Sequence, residues 1–240
     1  ILTGKLAVSF VQGVQSQKVA ACLKHFVGND TEFERHNISS NIDPRTLREM
    51  YLLPFELGIK KGGAMSVMSA YNQLNNKFCS SHEELLKDIL KEEWVFPGFV
   101  VSDWGAALDT EGNAKGGLDL IMPGPSTVWG ENLLKVLKEK KITEEEVFDK
   151  ARRLLRVADF TGRLDNPEEK EETSQDLEAD RLLIRKTAAD SMVLLKNENL
   201  LPLNKSKIKT LALIGPNAEQ GQFIGGGSAS VKPHYVLSLI

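Results

Sequence analysis

The chain has 240 residues, is 41% hydrophobic and 26% charged, and carries a formal net charge of -3, the ordinary make-up of a soluble globular protein long enough for a full core. Acidic and basic residues are mixed along it, which argues against a nucleic-acid surface or a polybasic membrane face, and no apolar run approaches the roughly 20 residues that span a bilayer. Two cysteines, Cys22 and Cys79, are too few for a disulfide framework and stand in no ligand spacing, so free buried thiols, no metal and no cofactor are expected.

The opening Ile-Leu-Thr-Gly-Lys lacks both a secretion-signal pattern and an initiator methionine, and a processed chain or, in preference, a piece of a longer one is expected. Asn29, Asn37 and Asn204 match the glycosylation sequon, a short match that arises often by chance, and no compartment is read from it. Residues 5–19 form a helical pattern through Leu6, Val8, Phe10, Val11 and Val14. The apolar run 19–26 then reads as a strand ending in Lys24, His25 and Phe26. The polar loop 27–42 carries Glu34-Arg35-His36 and is long for a connection, as functional or mobile loops are.

Asp43 at an N-cap and Pro44 at the first helical position open a helix through Leu47, Met50, Tyr51 and Phe55, kinked at Pro54 and closed by Gly62-Gly63. A second strand, 64–71, presents Met68 and Tyr71. Ser80 and Glu83 match a capping box ahead of Leu85, Leu86, Ile89, Leu90 and Trp94. Residues 99–105, Phe-Val-Val-Ser-Asp-Trp-Gly, read as a buried strand that delivers Asp103 and Trp104 to its end. Taken alone, such an aspartate is most often a helix cap or an Asx-turn.

Residues 116–123 read as one more short strand, with Asp119 inside it. Residues 131–141 and 143–160 read as helices, the second opened by the box Thr143/Glu146. Residues 161–180, with Pro167 and a run of glutamates, read as a solvated linker, followed by a helix over 182–196. Residues 209–216 look like the opening strand of another α/β unit, with the glycine-rich loop 225–230 after it. Strands alternating with amphipathic helices imply parallel strands joined by crossovers, whose ends meet on one face. That gathers Lys24, His25, Met68, Tyr71, Asp103 and Trp104 around a common mouth.

Taken together, Lys24-His25-Phe26-Val-Gly-Asn-Asp, Glu34-Arg35-His36, Arg45-Thr-Leu-Arg-Glu, Met68-Ser-Ala-Tyr71-Asn, Val101-Ser-Asp103-Trp104, Gly117-Leu-Asp-Leu-Ile-Met-Pro-Gly, Val193-Leu-Leu-Lys-Asn, Ile214-Gly-Pro-Asn and Gly225-Gly-Gly-Ser228-Ala resemble glycoside hydrolase family 3, most closely its β-glucosidases. The resemblance implies an α/β fold: the C-terminal part of a (β/α)8-type catalytic domain over residues 1–160, a linker with one helix over 161–205, and the start of an α/β sandwich domain over 206–240. It implies that Asp103 is the catalytic nucleophile and that Lys24, His25 and Arg35 bind sugar hydroxyls. Met68, Tyr71 and Trp104 would then wall the glycone subsite, and Ser228 is similar to a residue that reaches back over the site. The expected substrates are β-glucosides or short β-linked gluco-oligosaccharides, with neither nucleic acid nor membrane as partner.

These residue types suit the chemistry. A retaining glycosidase needs one ionised carboxylate to attack the anomeric carbon and a protonated partner about 5 Å away. Lys24 and Arg35 beside Asp103 would favour its charged form, and an aromatic such as Trp104 suits the apolar face of a sugar. The family's barrel begins upstream of residue 1 and its acid/base glutamate normally lies beyond Ile240, so no acid/base is assigned and the chain alone is expected to be inactive. The competing readings are a β-xylosidase, an N-acetyl-β-glucosaminidase, a non-catalytic sugar-binding relic and a Schiff-base barrel enzyme using Lys24. The second of these usually draws its acid/base from a His/Asp pair in a barrel loop, and no such pair follows Tyr71. The last needs a depressed lysine pKa, which a neighbouring Asp103 would oppose.

Overall fold

Parallel strands frame the first part of the chain. In the computed structural model, which describes residues 1–169 and 171–239, six strands occur in chain order: β1 (Cys22–Phe26), β2 (Ser39–Ser40), β3 (Ser66–Ser69), β4 (Gln73–Leu74), β5 (Lys77–Phe78) and β6 (Phe99–Ser102). The main sheet runs β1-β3-β6, parallel throughout, with Ser66 opposite both Cys22 and Phe99, and Ser69 opposite both Phe26 and Ser102. Its central strand β3 is buried along its whole length, as a parallel strand covered on both faces must be. A smaller sheet, β2-β4-β5, stands where the chain leaves β3.

The helices are α1 (Leu2–Gln15), α2 (Pro44–Thr46), α3 (Leu53–Lys60), α4 (Thr110–Gly116), α5 (Glu131–Lys138), α6 (Glu144–Phe160) and α7 (Glu178–Asp190), with π-helical segments over Leu47–Tyr51 and Glu84–Glu93. The expected cap at Asp43 is present: its carboxylate accepts the N–H groups of Arg45 and Thr46, both at 3.1 Å, with Pro44 in the first turn. The break expected at Pro54 is also present. Proline has no N–H to donate and so sits in the first turn of α3, and the chain reaches it through the π turn. The reciprocal box at the start of α6 is formed, with Glu146 N–H donating to Thr143 Oγ1 at 3.2 Å and Thr143 N–H donating to Glu146 Oε2 at 2.8 Å. The core joins Val11, Phe26, Leu52, Val67, Leu86, Leu90, Val100 and Leu118, and each large side chain so buried contributes about 1.5–3 kcal/mol. Phe26 meets Phe55 and Trp94 edge-on, at 4.9 and 6.0 Å between ring centroids.

Other expectations need correction. The box at Ser80/Glu83 does not form: Ser80 Oγ donates to the Ala106 carbonyl, Glu83 pairs with Lys87, and the helix over Glu84–Glu93 begins beneath His82, whose Nδ1 accepts the Leu85 N–H at 3.3 Å. Residues 116–123 make only a bridge between Leu120 and Val101. There the Asp119 carboxylate, rather than a strand carbonyl, takes the Val100 N–H, and Pro123 could not donate to a longer ladder. Cys22 is exposed, because it lies on the edge strand β1, while Cys79 is buried and its thiol is pushed up to about 12 by burial.

The chain divides into two compact units, Ile1–Glu169 and Lys170–Ile240. Within the second, α7 starts and ends earlier than residues 182–196, since Glu178 and Asp180 fill a favourable first turn. Residues 209–216 form no strand; among the described residues of this unit there is no strand for them to pair with. Among the described residues no helix is long and apolar enough to cross a membrane.

Candidate active site

The three main strands leave the sheet in register. Ala70 N–H donates to the Phe26 carbonyl at 2.8 Å and Asp103 N–H to the Ser69 carbonyl at 3.2 Å, so the ladder persists one residue beyond β3 and β6. This brings the segments after β1, β3 and β6 together at their carboxyl ends. Asp103 is 8% exposed there. Its Oδ1 accepts the Trp104 N–H at 2.8 Å and its Oδ2 lies 3.4 Å from His25 Nε2. It caps no helix; α4 takes its cap from Asp109.

Burial lowers the His25 pKa, and the charges of Lys24 and Arg35 act in the same direction, against the opposing pull of Asp103. The imidazole facing the carboxylate is therefore biased toward its neutral form. Tyr71 reaches the same place from the end of β3, its hydroxyl donating to the Trp104 carbonyl at 2.9 Å. Burial, and after it the charge of Asp103, raise the Tyr71 pKa, which keeps the phenol protonated and able to donate. Arg35 lays its guanidinium 4.9 Å from the Tyr71 ring centre and is held by Glu32 at 2.7 Å. His36 meets the same ring edge-on at 4.2 Å. Its place beside Arg35 was the only sequence signal for this contact.

The remaining candidates are placed differently. Met68 lies in β3 opposite Val101 and is buried, whereas Trp104 is 51% exposed. Lys24 and His25 also line a cavity of about 430 Å³ with Asn29, Asp30 and Tyr51, against α1 and the start of α3; Asp103, Tyr71 and Trp104 are not among its walls. Ser228 belongs to the second unit, in the short 3-10 turn Gly227–Ala229, and is exposed. Among the described residues no group of three or more His, Cys, Asp or Glu side chains is disposed to hold a metal ion.

A parallel sheet with crossover helices, whose polar side chains collect where the strands end, is the arrangement of (β/α)8-type enzymes. Residues 1–157 match the glycosyl hydrolase family 3 N-terminal domain and residues 192–240 match the family 3 C-terminal domain. The chain belongs to glycosyl hydrolase family 3. It is 46% identical over 237 residues to a β-glucosidase of Rhizobium radiobacter, covering 99% of this chain and 29% of that protein. With the thermostable β-glucosidase B of Acetivibrio thermocellus it shares 42% identity, covering 97% of this chain and 30% of the relative.

Among solved structures, β-glucosidase 3B from Thermotoga neapolitana in complex with α-D-glucose matches with a TM-score of 0.89 at 40% identity, covering 98% of this chain and 33% of that one. The Kluyveromyces marxianus β-glucosidase in complex with glucose matches with a TM-score of 0.88 at 39% identity, over 96% of this chain and 28% of that one. The chain thus spans less than a third of the length of the relatives just named. Its fold class is theirs: α/β, the later part of a (β/α)8-type barrel followed by the start of an α/β sandwich.

Proposed function

We propose that this chain is a segment of a retaining, exo-acting β-glucosidase in which Asp103 is the nucleophile. The observation that carries the reading is Asp103 itself, a mostly buried carboxylate at the carboxyl end of β6 with His25 Nε2 at 3.4 Å and Tyr71 alongside. In the first step Asp103 attacks C1 of the terminal glucosyl residue as the glycosidic bond breaks, and an acid protonates the departing oxygen. Water then cleaves the glycosyl-aspartate and returns the carboxylate. Lys24, His25 and Arg35 supply donors to the sugar hydroxyls, and Met68, Tyr71 and Trp104 form the walls around the ring.

The substrates are β-glucosides or short β-linked gluco-oligosaccharides; the complexes of two structural neighbours with glucose support a glucosyl glycone. The acid/base glutamate belongs to a part of the protein outside these residues. Residues 1–160 form the end of the barrel, 161–205 a linker with one helix, and 206–240 the start of the sandwich.

A 2-deoxy-2-fluoroglucoside that traps the glycosyl-enzyme tests the assignment in the full-length protein. Mass spectrometry is expected to find the label on the peptide containing Asp103, and Asp103→Asn is expected to lower kcat by roughly 10⁴-fold. Label on another carboxylate, or turnover untouched by the substitution, removes the assignment. Across a panel of aryl glycosides the β-glucoside is expected to be cleaved best. The 240-residue chain alone is expected to hydrolyse none of them, and robust turnover by it would overturn the segment reading.

A further inference from the structure

The position of Asp103 is set from both sides of β6. Toward β3, Phe99 N–H donates to the Met65 carbonyl at 3.3 Å and Asp103 N–H to the Ser69 carbonyl at 3.2 Å. The alternate residues, Val100 and Ser102, face the segment 119–122, where no regular strand exists. Val100 is fully buried, so an unpaired N–H there would carry its whole desolvation penalty.

Asp119 supplies what a strand carbonyl would. Its Oδ2 accepts the Val100 N–H at 2.7 Å, while the N–H groups of Asp119 and Leu120 return to the Val100 carbonyl at 2.9 and 3.0 Å. Past this point Ser102 N–H donates to the Leu120 carbonyl, and Gly105 N–H to the Met122 carbonyl, each at 2.9 Å. The other oxygen of Asp119 meets Lys91 Nζ at 2.6 Å, with side-chain exposures of 6% for Lys91 and 0% for Asp119. Lys91 comes from the helix that precedes β6. From α6, Arg153 donates to the carbonyls of Phe96 and Gly98 at 2.7 and 3.0 Å, just before β6 begins. The entry, middle and exit of this strand are thus all tied by polar bonds, and at the middle the Val100 N–H is taken by one carboxylate.

We propose that Asp119, held by Lys91, is a positioning residue: by accepting the Val100 N–H it fixes where β6 lies and so where Asp103 meets the sugar. The inference rests on the reading of Asp103 as nucleophile. Attack on C1 tolerates little displacement, and a shift of about 1 Å can remove roughly 10²-fold of rate. Apart from Trp104, which follows Asp103 directly, the other sugar contacts come from β1, the Arg35 loop and β3, so kcat is the parameter most exposed to such a shift.

Two double substitutions in the full-length protein separate the acceptor from the charge without leaving an unpaired buried ion. Lys91→Met/Asp119→Asn keeps an oxygen for Val100, and Lys91→Met/Asp119→Leu of similar volume does not. The first is expected to hold kcat within about threefold, with an unshifted acidic limb in the pH profile of kcat/KM. The second is expected to lose roughly 10- to 100-fold in kcat with KM changed by less than about threefold. Full kcat in the folded leucine variant overturns the proposal, as does a tenfold loss in the asparagine variant. If the leucine variant does not fold, the asparagine variant decides by the same criterion. Trapping of the fluoroglucosyl label on Asp103 in the unsubstituted protein is read separately, so a failure of the nucleophile assignment is not mistaken for a failure of this one.

Discussion

His82 caps a helix with a ring nitrogen, and only a neutral ring can accept the Leu85 N–H. Burial is the main reason its pKa lies below the ordinary value of 6.5, with the charge of Lys77 next. The sign follows directly. A histidine whose folded pKa is depressed contributes stability above the unfolded pKa and loses it as protons bind below about 6.5, because the unfolded chain takes them up more readily. His25 is shifted in the same direction and adds to the effect. The denaturation midpoint of the full-length protein is therefore expected to fall between pH 7 and pH 5. His82→Ala is expected to cost about 1 kcal/mol at pH 7, while His82→Asn, which keeps an acceptor, costs less and reduces the slope with pH. A midpoint in the His82→Asn variant that tracks the unsubstituted protein across that range would exclude His82 as a contributor.

At the level of elements, two glycines behave in opposite ways. A Cβ on Gly98 would fall 2.0 Å from the Met65 carbonyl oxygen, at the point where β6 comes against the residue preceding β3; neither backbone can yield. Gly98→Ala is expected to destabilise by about 3 kcal/mol. Gly13, inside α1 with nothing within 4 Å of its would-be Cβ, is expected to gain about 0.5–1 kcal/mol as alanine. Chemical denaturation of the two variants measures both.

The elements also separate what the sequence made legible from what it hid. β1, β3 and β6 announce themselves as apolar runs, and the polar residues at their ends, Lys24, His25, Tyr71 and Asp103, could be listed before any coordinates existed. Residues 116–123 and 209–216 have the same look and are not strands, because β-propensity registers a side chain's fit to a pleated surface and not the existence of a neighbouring strand. The role of Asp119 was hidden for a related reason: its partners, Lys91 and Val100, are distant in sequence. His36 on the Tyr71 ring was likewise a loop contact without periodicity to mark it.

At the largest scale, the 240-residue chain falls into two compact units, and the described residues on either side of their boundary, 165–169 and 171–178, are exposed and rich in acidic side chains. Limited digestion with a glutamate-specific protease is expected to cut first between residues 165 and 178 and to leave a fragment close to Ile1–Glu169. First cuts inside α6 would contradict the division. The first unit has a further property that follows from its ladder alone. Cys22 must find Ser66, and Ser66 must find Phe99, each across a long crossover, so chain entropy is lost well before the pairing returns any free energy. Helical signal should consequently recover early in refolding while the pairing of β1, β3 and β6 arrives last, and it is in the interval between them that a folding chaperone would have the most to protect.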